Sequence, residues 1–355
     1  MAKREGMRPT EVVHVNLAQD GALGGGLGRP EGAPSYASTL ISDIRSAFAN
    51  CAPTLESPAG FFDVHRFRPS NDRYPRTIMG SVDALVRSRK CVAPQQLDVT
   101  DPSGIHSKIF VGADYSKNGP VLVHAGHLKQ IFSTFTPPSK EEIDARTSIG
   151  KENYGTMPGI DSAYAGAIVK AMQPRTILVI GEHKGHLTKY LAECSSDDCL
   201  IFTLDLPQSI RDRESVTPLD KINNCFVNYS ENQIGEAWRG TAVADRIIGL
   251  AGDSTSSAAA KVFKLLNGLI DLVIVDGDHS YESVVKDLTT AKDLLSDKGV
   301  ILVDDFWKPA RLFEVTEAAL RVRRENPEIS HLYHISWGVD PDKITSNLAF
   351  FVKGE

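Results

Sequence analysis

Two neighbouring stretches, DLVIVDGDHSYE (Asp271–Glu282) and GVILVDDF (Gly299–Phe306), decide the architecture. Each is a short β-branched apolar run that ends in carboxylates, the first at Asp276 and Asp278 with His279 beside them, the second at Asp304 and Asp305. Runs that are apolar on both faces suit strands covered by helices on each side, which is the setting of a parallel sheet. Working outward, the runs Thr176–Ile180, Leu200–Leu204 and Arg246–Leu250 alternate with helical segments in the same way, and a helix is expected from Asp161 to Met172. Two last runs, His331–Trp337 and Asn347–Val352, are joined by a turn-rich loop with no room for a helix and should form a hairpin. The expected fold is α/β: a Rossmann-like, seven-stranded, mostly parallel sheet with a terminal antiparallel hairpin, plus an N-terminal accessory region.

Upstream of this block the pattern is different. Residues 1–35 contain DGALGGGLGRPEGAP, rich in glycine and proline with few apolar anchors, and read as a flexible arm. Residues 36–147 read as an accessory, substrate or oligomerisation region, with an amphipathic stretch near Tyr36–Phe48 and a hairpin expected from Ile109–Val111 and Val121–Val123. His124 and His127 lack a recognisable third ligand and read as polar junction residues rather than a metal site. TPPSKEEIDART, with its Pro pair and capping-type run, marks a boundary, so that 148–355 forms the chemical domain.

Composition narrows the partners. The 355 residues carry 39 Lys and Arg against 45 Asp and Glu, a net charge of −6 with no dense basic run, so nucleic acid is not the expected partner. No apolar stretch is long enough to span a bilayer and no secretory signal is recognisable, so no membrane association is expected. Five cysteines without a CxxC pair suit reduced thiols and a cytoplasmic setting.

In an open α/β sheet, ligands bind beyond the carboxyl ends of the strands, so the residues after each run carry the chemistry. After the first comes Gly181-Glu182-His183-Lys184-Gly185-His186, a glycine-bounded turn that lets a cofactor approach the backbone or is simply a tight turn. After the second, Asp205 can accept hydrogen bonds from a ribose diol, of a nicotinamide or an adenosyl cofactor. After the third, Asp253 and Ser254 are placed to approach an adenine, to cap the next helix, or both. The carboxylates of Asp276, Asp304 and Asp305 should converge at adjacent strand ends, where their mutual repulsion calls for a cation. Oxygen ligands suit a hard ion such as Mg²⁺. His279 at this rim is a candidate general base, and Asp278 an alternative proton acceptor.

The succession VIGEHKGHLT, TLDLP, GDS, DLVIVDGDHSYESVVKDL and LLSDKGVILVDDF resembles the class I S-adenosylmethionine-dependent methyltransferases over about Gly159–Glu355. It is most similar to the branch of metal-dependent small-molecule O-methyltransferases that includes the catechol and macrolide-sugar enzymes. The resemblance implies that Gly181 and Gly185 line the methionine portion of the cofactor, with Glu182 nearby, that Asp205 binds the ribose, and that Asp253 and Ser254 approach the adenine. It implies Asp276, Asp304 and Asp305 as metal ligands, Asp276 also bordering the cofactor, and His279 as the base. The family usually has an acidic residue where this chain has Val179, and Glu182 is the residue of the turn that can substitute for it.

The expected reaction is methyl transfer from S-adenosylmethionine to a hydroxyl of a small molecule, a phenol, sugar or natural product, assisted by Mg²⁺. Trp307 and Lys308 are placed to touch that acceptor, and Tyr154–Ser162 to form a lid or a linker. The N-terminal region is a candidate surface for homo-oligomers. The competing expectations are a metal-independent N- or O-methyltransferase, a nicotinamide-dependent oxidoreductase, disfavoured by the incomplete glycine fingerprint, and an inactive cofactor-binding partner.

Overall fold

Every one of the seven apolar runs forms a strand. The computed structural model describes residues 35–54, 60–69, 72–95, 121–153, 156–157, 159–207, 231–306, 313–329, 331–336 and 347–353. Its strands are β1 (Phe62–Asp63), β2 (Val121–His124), β3 (Thr176–Ile180), β4 (Leu200–Asp205), β5 (Ile247–Ala251), β6 (Ile270–Val275), β7 (Leu295–Val303), β8 (His331–Ser336) and β9 (Ala349–Val352). The helices are α1 (Tyr36–Cys51), α2 (Arg73–Ser88), α3 (Leu128–Ile131), α4 (Lys140–Glu152), α5 (Gly159–Met172), α6 (His186–Cys194), α7 (Ser257–Phe263), α8 (Tyr281–Leu294) and α9 (Phe313–Glu325).

The sheet runs β1-β5-β4-β3-β6-β7-β9-β8-β2. Only β9 is antiparallel to its neighbours, pairing β7 on one side and β8 on the other, which is the expected terminal hairpin. The chain moves from β3 through β4 to β5 in one direction, then restarts at β6 on the other side of β3 and proceeds to β7. The carboxyl ends of β3 and β6 therefore flank the switch point, where a crevice opens in folds of this type.

Seven strands become nine because the N-terminal region adds one at each edge. Phe62–Asp63 pairs in parallel with β5, and Val121–His124 pairs in parallel with β8. Neither edge pairing is visible in the sequence: two residues carry no periodicity, and the expected hairpin partner Ile109–Val111 lies outside the described residues. So does the arm 1–35, apart from Ser35.

Alternation of side chains divides the core into two faces. On one, Leu178, Ile180 and Phe202 pack with α1, α2, α7, α8 and α9; on the other, Ile177, Val179 and Ile201 pack with α3, α5 and α6. The N-terminal helices are thus part of the core. Phe48 of α1 lies against Phe62 and Phe202 at ring separations of 5.9 and 6.0 Å, and Arg45 donates to the carbonyl of Ala244 at 3.0 Å. The boundary segment begins α4 with a capping box: Ser139 Oγ accepts from the Glu142 N–H, and Glu142 Oε2 from the Ser139 N–H.

At the amino ends of the strands the buried charges are paired. Asp271, fully buried, receives Arg175 Nε and Nη2 at 2.8 and 2.7 Å, the Arg175 N–H at 2.8 Å and the Ser296 hydroxyl at 2.6 Å. Such a bidentate fork fixes the register of β3 against β6.

Candidate active site

Four backbone hydrogen bonds tie the carboxyl ends of the central strands into one ledge. The Gly252 N–H donates to the Asp205 carbonyl, Gly181 to Leu204, Asp276 to Ile180 and Asp304 to Val275, at 2.9 to 3.1 Å. These bonds line up Asp205, the last residue of β4, with Gly181, Asp276 and Asp304, each one residue past its strand.

Gly181 is required by this ledge itself. Its φ is +94°, and a Cβ there would fall 1.8 Å from the Asp276 carbonyl oxygen, so any side chain would separate β3 from β6 at the switch point. Gly185 has φ +83° and N-caps α6; a Cβ would meet the Trp238 ring at 2.5 Å. Asp205 accepts from the backbone N–H groups of His183 and Leu206 and so braces the turn between the glycines.

The Glu182 side chain lies beneath the turn. Its carboxylate is 3% exposed and accepts from the Thr188 and Thr203 hydroxyls and the Trp238 indole N–H, which ties the turn to β4, α6 and Trp238. Burial pushes its pKa up to about 7, against the pull of the three donors. Val179, at the position where the resemblance implies an acidic residue, is buried in the core.

After β5, Asp253 Oδ1 accepts from the Thr255 N–H and hydroxyl, both at 2.8 Å, and shapes a turn. The N-cap of α7 is Ser256, whose Oγ accepts from the Ala259 N–H; neither Asp253 nor Ser254 has that task. After β6, Asp278 accepts from the Ser280 N–H and hydroxyl at the entrance to α8.

Asp276, His279 and Asp305 come together, each offering a ligand atom within 4.8 Å of the others. His279 Nε2 lies 3.2 Å from Asp305 Oδ2 and 3.9 Å from Asp276 Oδ1. Asp305 holds φ +54°, an uncommon conformation for a non-glycine residue that turns its carboxylate toward the histidine. Asp304 stands beside this group, not inside it: it is 3% exposed, and its Oδ1 is buried with no hydrogen-bond partner. Burial raises its pKa well above the usual carboxylate range, reinforced by Asp276, Asp305 and Asp161. A buried orphan oxygen next to three oxygen and nitrogen donors fits a hard divalent cation, which would satisfy it.

Asp161 reads in the sequence only as the start of a helix. The structure buries it in the first turn of α5, close enough to act on Asp304, with Oδ2 3.5 Å from the Asn347 N–H; the Asn347 carbonyl in turn accepts from the Phe306 N–H. No local sequence signal joins residues 161, 304 and 347. Trp307 and Lys308 lie outside the described residues, as do Tyr154, Gly155 and Pro158 of the suggested lid. Among the described residues no metal-type group includes His127, the side chain of His124 lies outside what the structure describes, and no described helix is long and apolar enough to cross a membrane. Cys51, Cys91, Cys194 and Cys199 are free and buried.

Comparison with known proteins falls on this same ledge. Residues 178–306, from β3 to the end of the Asp304-Asp305 pair, match the family described as a methyltransferase domain. This segment has the sequence pattern of a methyltransferase domain. No curated protein matches the chain. Solved structures similar to it include the S-adenosylhomocysteine-bound methyltransferase PaMTH1 of Podospora anserina, at 15% identity over 63% of this chain and 91% of that one, TM-score 0.41. Others are an O-methyltransferase of Bacillus cereus, at 14% over 61% and 92%, TM-score 0.41, and TomG of Streptomyces achromogenes, an O-methyltransferase of tomaymycin synthesis, at 15% over 63% and 94%, TM-score 0.40. The matched segment thus contains every strand-end residue singled out above, while Asp161 and Asn347 lie outside it in sequence and reach its edge through the fold.

Proposed function

We propose that the protein transfers a methyl group from S-adenosylmethionine to a hydroxyl of a small molecule, with a divalent cation, Mg²⁺ by its ligand chemistry, at Asp276, Asp304 and Asp305. The observation that carries this is the convergence of Asp276, His279 and Asp305 at the switch-point crevice beside the orphaned oxygen of Asp304. When bound, the cofactor supplies an electrophilic methyl group, and the cation lowers the cost of negative charge on the acceptor oxygen.

The chain's residues would do the rest. The turn from Gly181 to Gly185, braced by Asp205, gives the cofactor a close backbone wall, and Asp253 and Ser254 border the adenosine end. Asp276 and Asp305 hold the acceptor's end of the crevice. His279, with Nε2–H turned to the Asp305 carboxylate, takes the hydroxyl proton on its other ring nitrogen, Nδ1, as the oxygen attacks the methyl carbon. Much of the acceleration comes from fixing that oxygen in line with the departing sulfur.

The test is methyl transfer from labelled S-adenosylmethionine to a panel of catechols, sugars and polyketide alcohols, after EDTA treatment and after Mg²⁺ add-back. Loss and recovery of transfer support the proposal. A metal-free route is favoured by one observation, the 3.2 Å His279–Asp305 contact, since a carboxylate-oriented imidazole is a sufficient base for an acidic hydroxyl. Transfer indifferent to EDTA would select that route.

A further inference from the structure

Asp287 is a buried acid that the chemistry above does not use. It projects from α8, is 1% exposed, and neither of its oxygens has a hydrogen-bond partner. Its Oδ2 lies 3.6 Å from where a Gly277 Cβ would be, directly behind the turn that follows β6. From the turn after β5, the Ser254 hydroxyl approaches it without reaching hydrogen-bond geometry. The carboxyl therefore sits behind two turns of the crevice, the one after β5 at its adenosine end and the one that leads on from Asp276. Leaving such a group unsatisfied is costly, whereas an apolar side chain of similar size would fill the place without penalty.

We propose that Asp287 is a positioning residue for the cofactor, setting the spacing of the Ser254 and Gly277 turns between which the cofactor is gripped. The proposal rests on the reading that S-adenosylmethionine occupies this crevice. The groups acting on Asp287 are the Ser254 hydroxyl on the β5 turn and Lys286 on its own helix, both favouring its charged form, and Asp253 on the β5 turn and Asp278 on the β6 turn, both favouring the protonated one. Burial comes first among the causes that raise its pKa to about 7. Protonated, the carboxyl can donate to a turn carbonyl and accept from Ser254; ionised, it repels Asp253 and Asp278 and opens the turns.

The experiment is calorimetric titration of the full chain with S-adenosylhomocysteine at pH 6, 7 and 8, for the native protein, Asp287→Asn and Asp287→Leu, with thermal melting of each. The native protein should bind more weakly as pH rises, and Asp287→Asn should bind with a flatter pH dependence. Asp287→Leu should melt at the native temperature or above it, yet bind about three- to tenfold more weakly, the loss expected for one hydrogen-bonded anchor. Equal pH slopes for the native protein and Asp287→Asn overturn the proposal, as does native affinity in a folded Asp287→Leu. If the native protein itself fails to bind S-adenosylhomocysteine, the cofactor assignment falls and the proposal falls with it. That outcome is distinct from native binding that the variants leave unchanged.

Discussion

His279 Nε2 and Asp305 Oδ2 stand 3.2 Å apart across the ends of β6 and β7, two strands whose pairing holds the histidine and its carboxylate in register. The contact places the imidazole among the carboxylates of the neighbouring strand ends. His279→Ala should lower methyl transfer by about 10²- to 10⁴-fold, the range for a general base, while leaving cofactor affinity near native. If His279 instead served as a cation ligand, the same variant would weaken Mn²⁺ binding in a titration; retained Mn²⁺ affinity with lost turnover assigns it the proton.

The cation site can be tested without turnover. Asp276→Asn and Asp305→Asn each remove a charge from the cluster and should weaken Mn²⁺ binding, measured by calorimetry or by the spin-resonance signal of free Mn²⁺. Asp278→Asn, altering a carboxylate engaged with Ser280, should bind Mn²⁺ as the native chain does.

Glu182 makes stability depend on pH. Its carboxyl ionises near 4.5 in the unfolded chain and at about 7 in the folded one. Its contribution is fully present below 4.5, is lost progressively as pH rises to about 7, and is level above that. The integrated loss is about 3 kcal/mol, since a tenfold difference in proton affinity between the folded and unfolded chain is worth about 1.4 kcal/mol. Glu182→Gln keeps an oxygen for the Trp238 N–H and lets the Thr188 and Thr203 hydroxyls accept from its amide. Melting curves between pH 5 and 7 should therefore fall less steeply for Glu182→Gln than for the native protein; parallel curves would contradict the assignment.

Asp271 faces the opposite end of the sheet and should behave differently. Asp271→Ala strands the part-buried Arg175 guanidinium and should destabilise the fold by about 3–5 kcal/mol in denaturant melts. Cofactor affinity in whatever fraction stays folded should be native, because the fork lies at the amino ends of strands whose carboxyl ends form the crevice.

The contrast between these two ends explains what the sequence disclosed. Strand-end carboxylates follow apolar runs, so Asp205, Asp276, Asp304 and Asp305 could be placed on one ledge from periodicity alone. Asp161 and Asp287 lie inside helical patterns, where an acidic residue reads as a first-turn or surface charge, and only tertiary packing buries them. Glu182 follows its strand as a cofactor residue should, but its role is set by Trp238, 56 residues away. The strand β1 is too short to show any pattern, and the partner of β2 is fixed by the closing hairpin rather than by local sequence.

The two added edge strands bear on how this enzyme can be handled. A fragment cut at residue 148 would keep the ledge and its carboxylates but would strip α1 from Phe202 and leave β5 and β8 with open hydrogen-bonding edges. Bared edges of this kind recruit other chains, so the excised fragment would aggregate. Grafting, trimming or shuffling of the catalytic segment therefore has to carry residues 36–147 with it, and the unit that evolution or an engineer can move is larger than the unit that reacts.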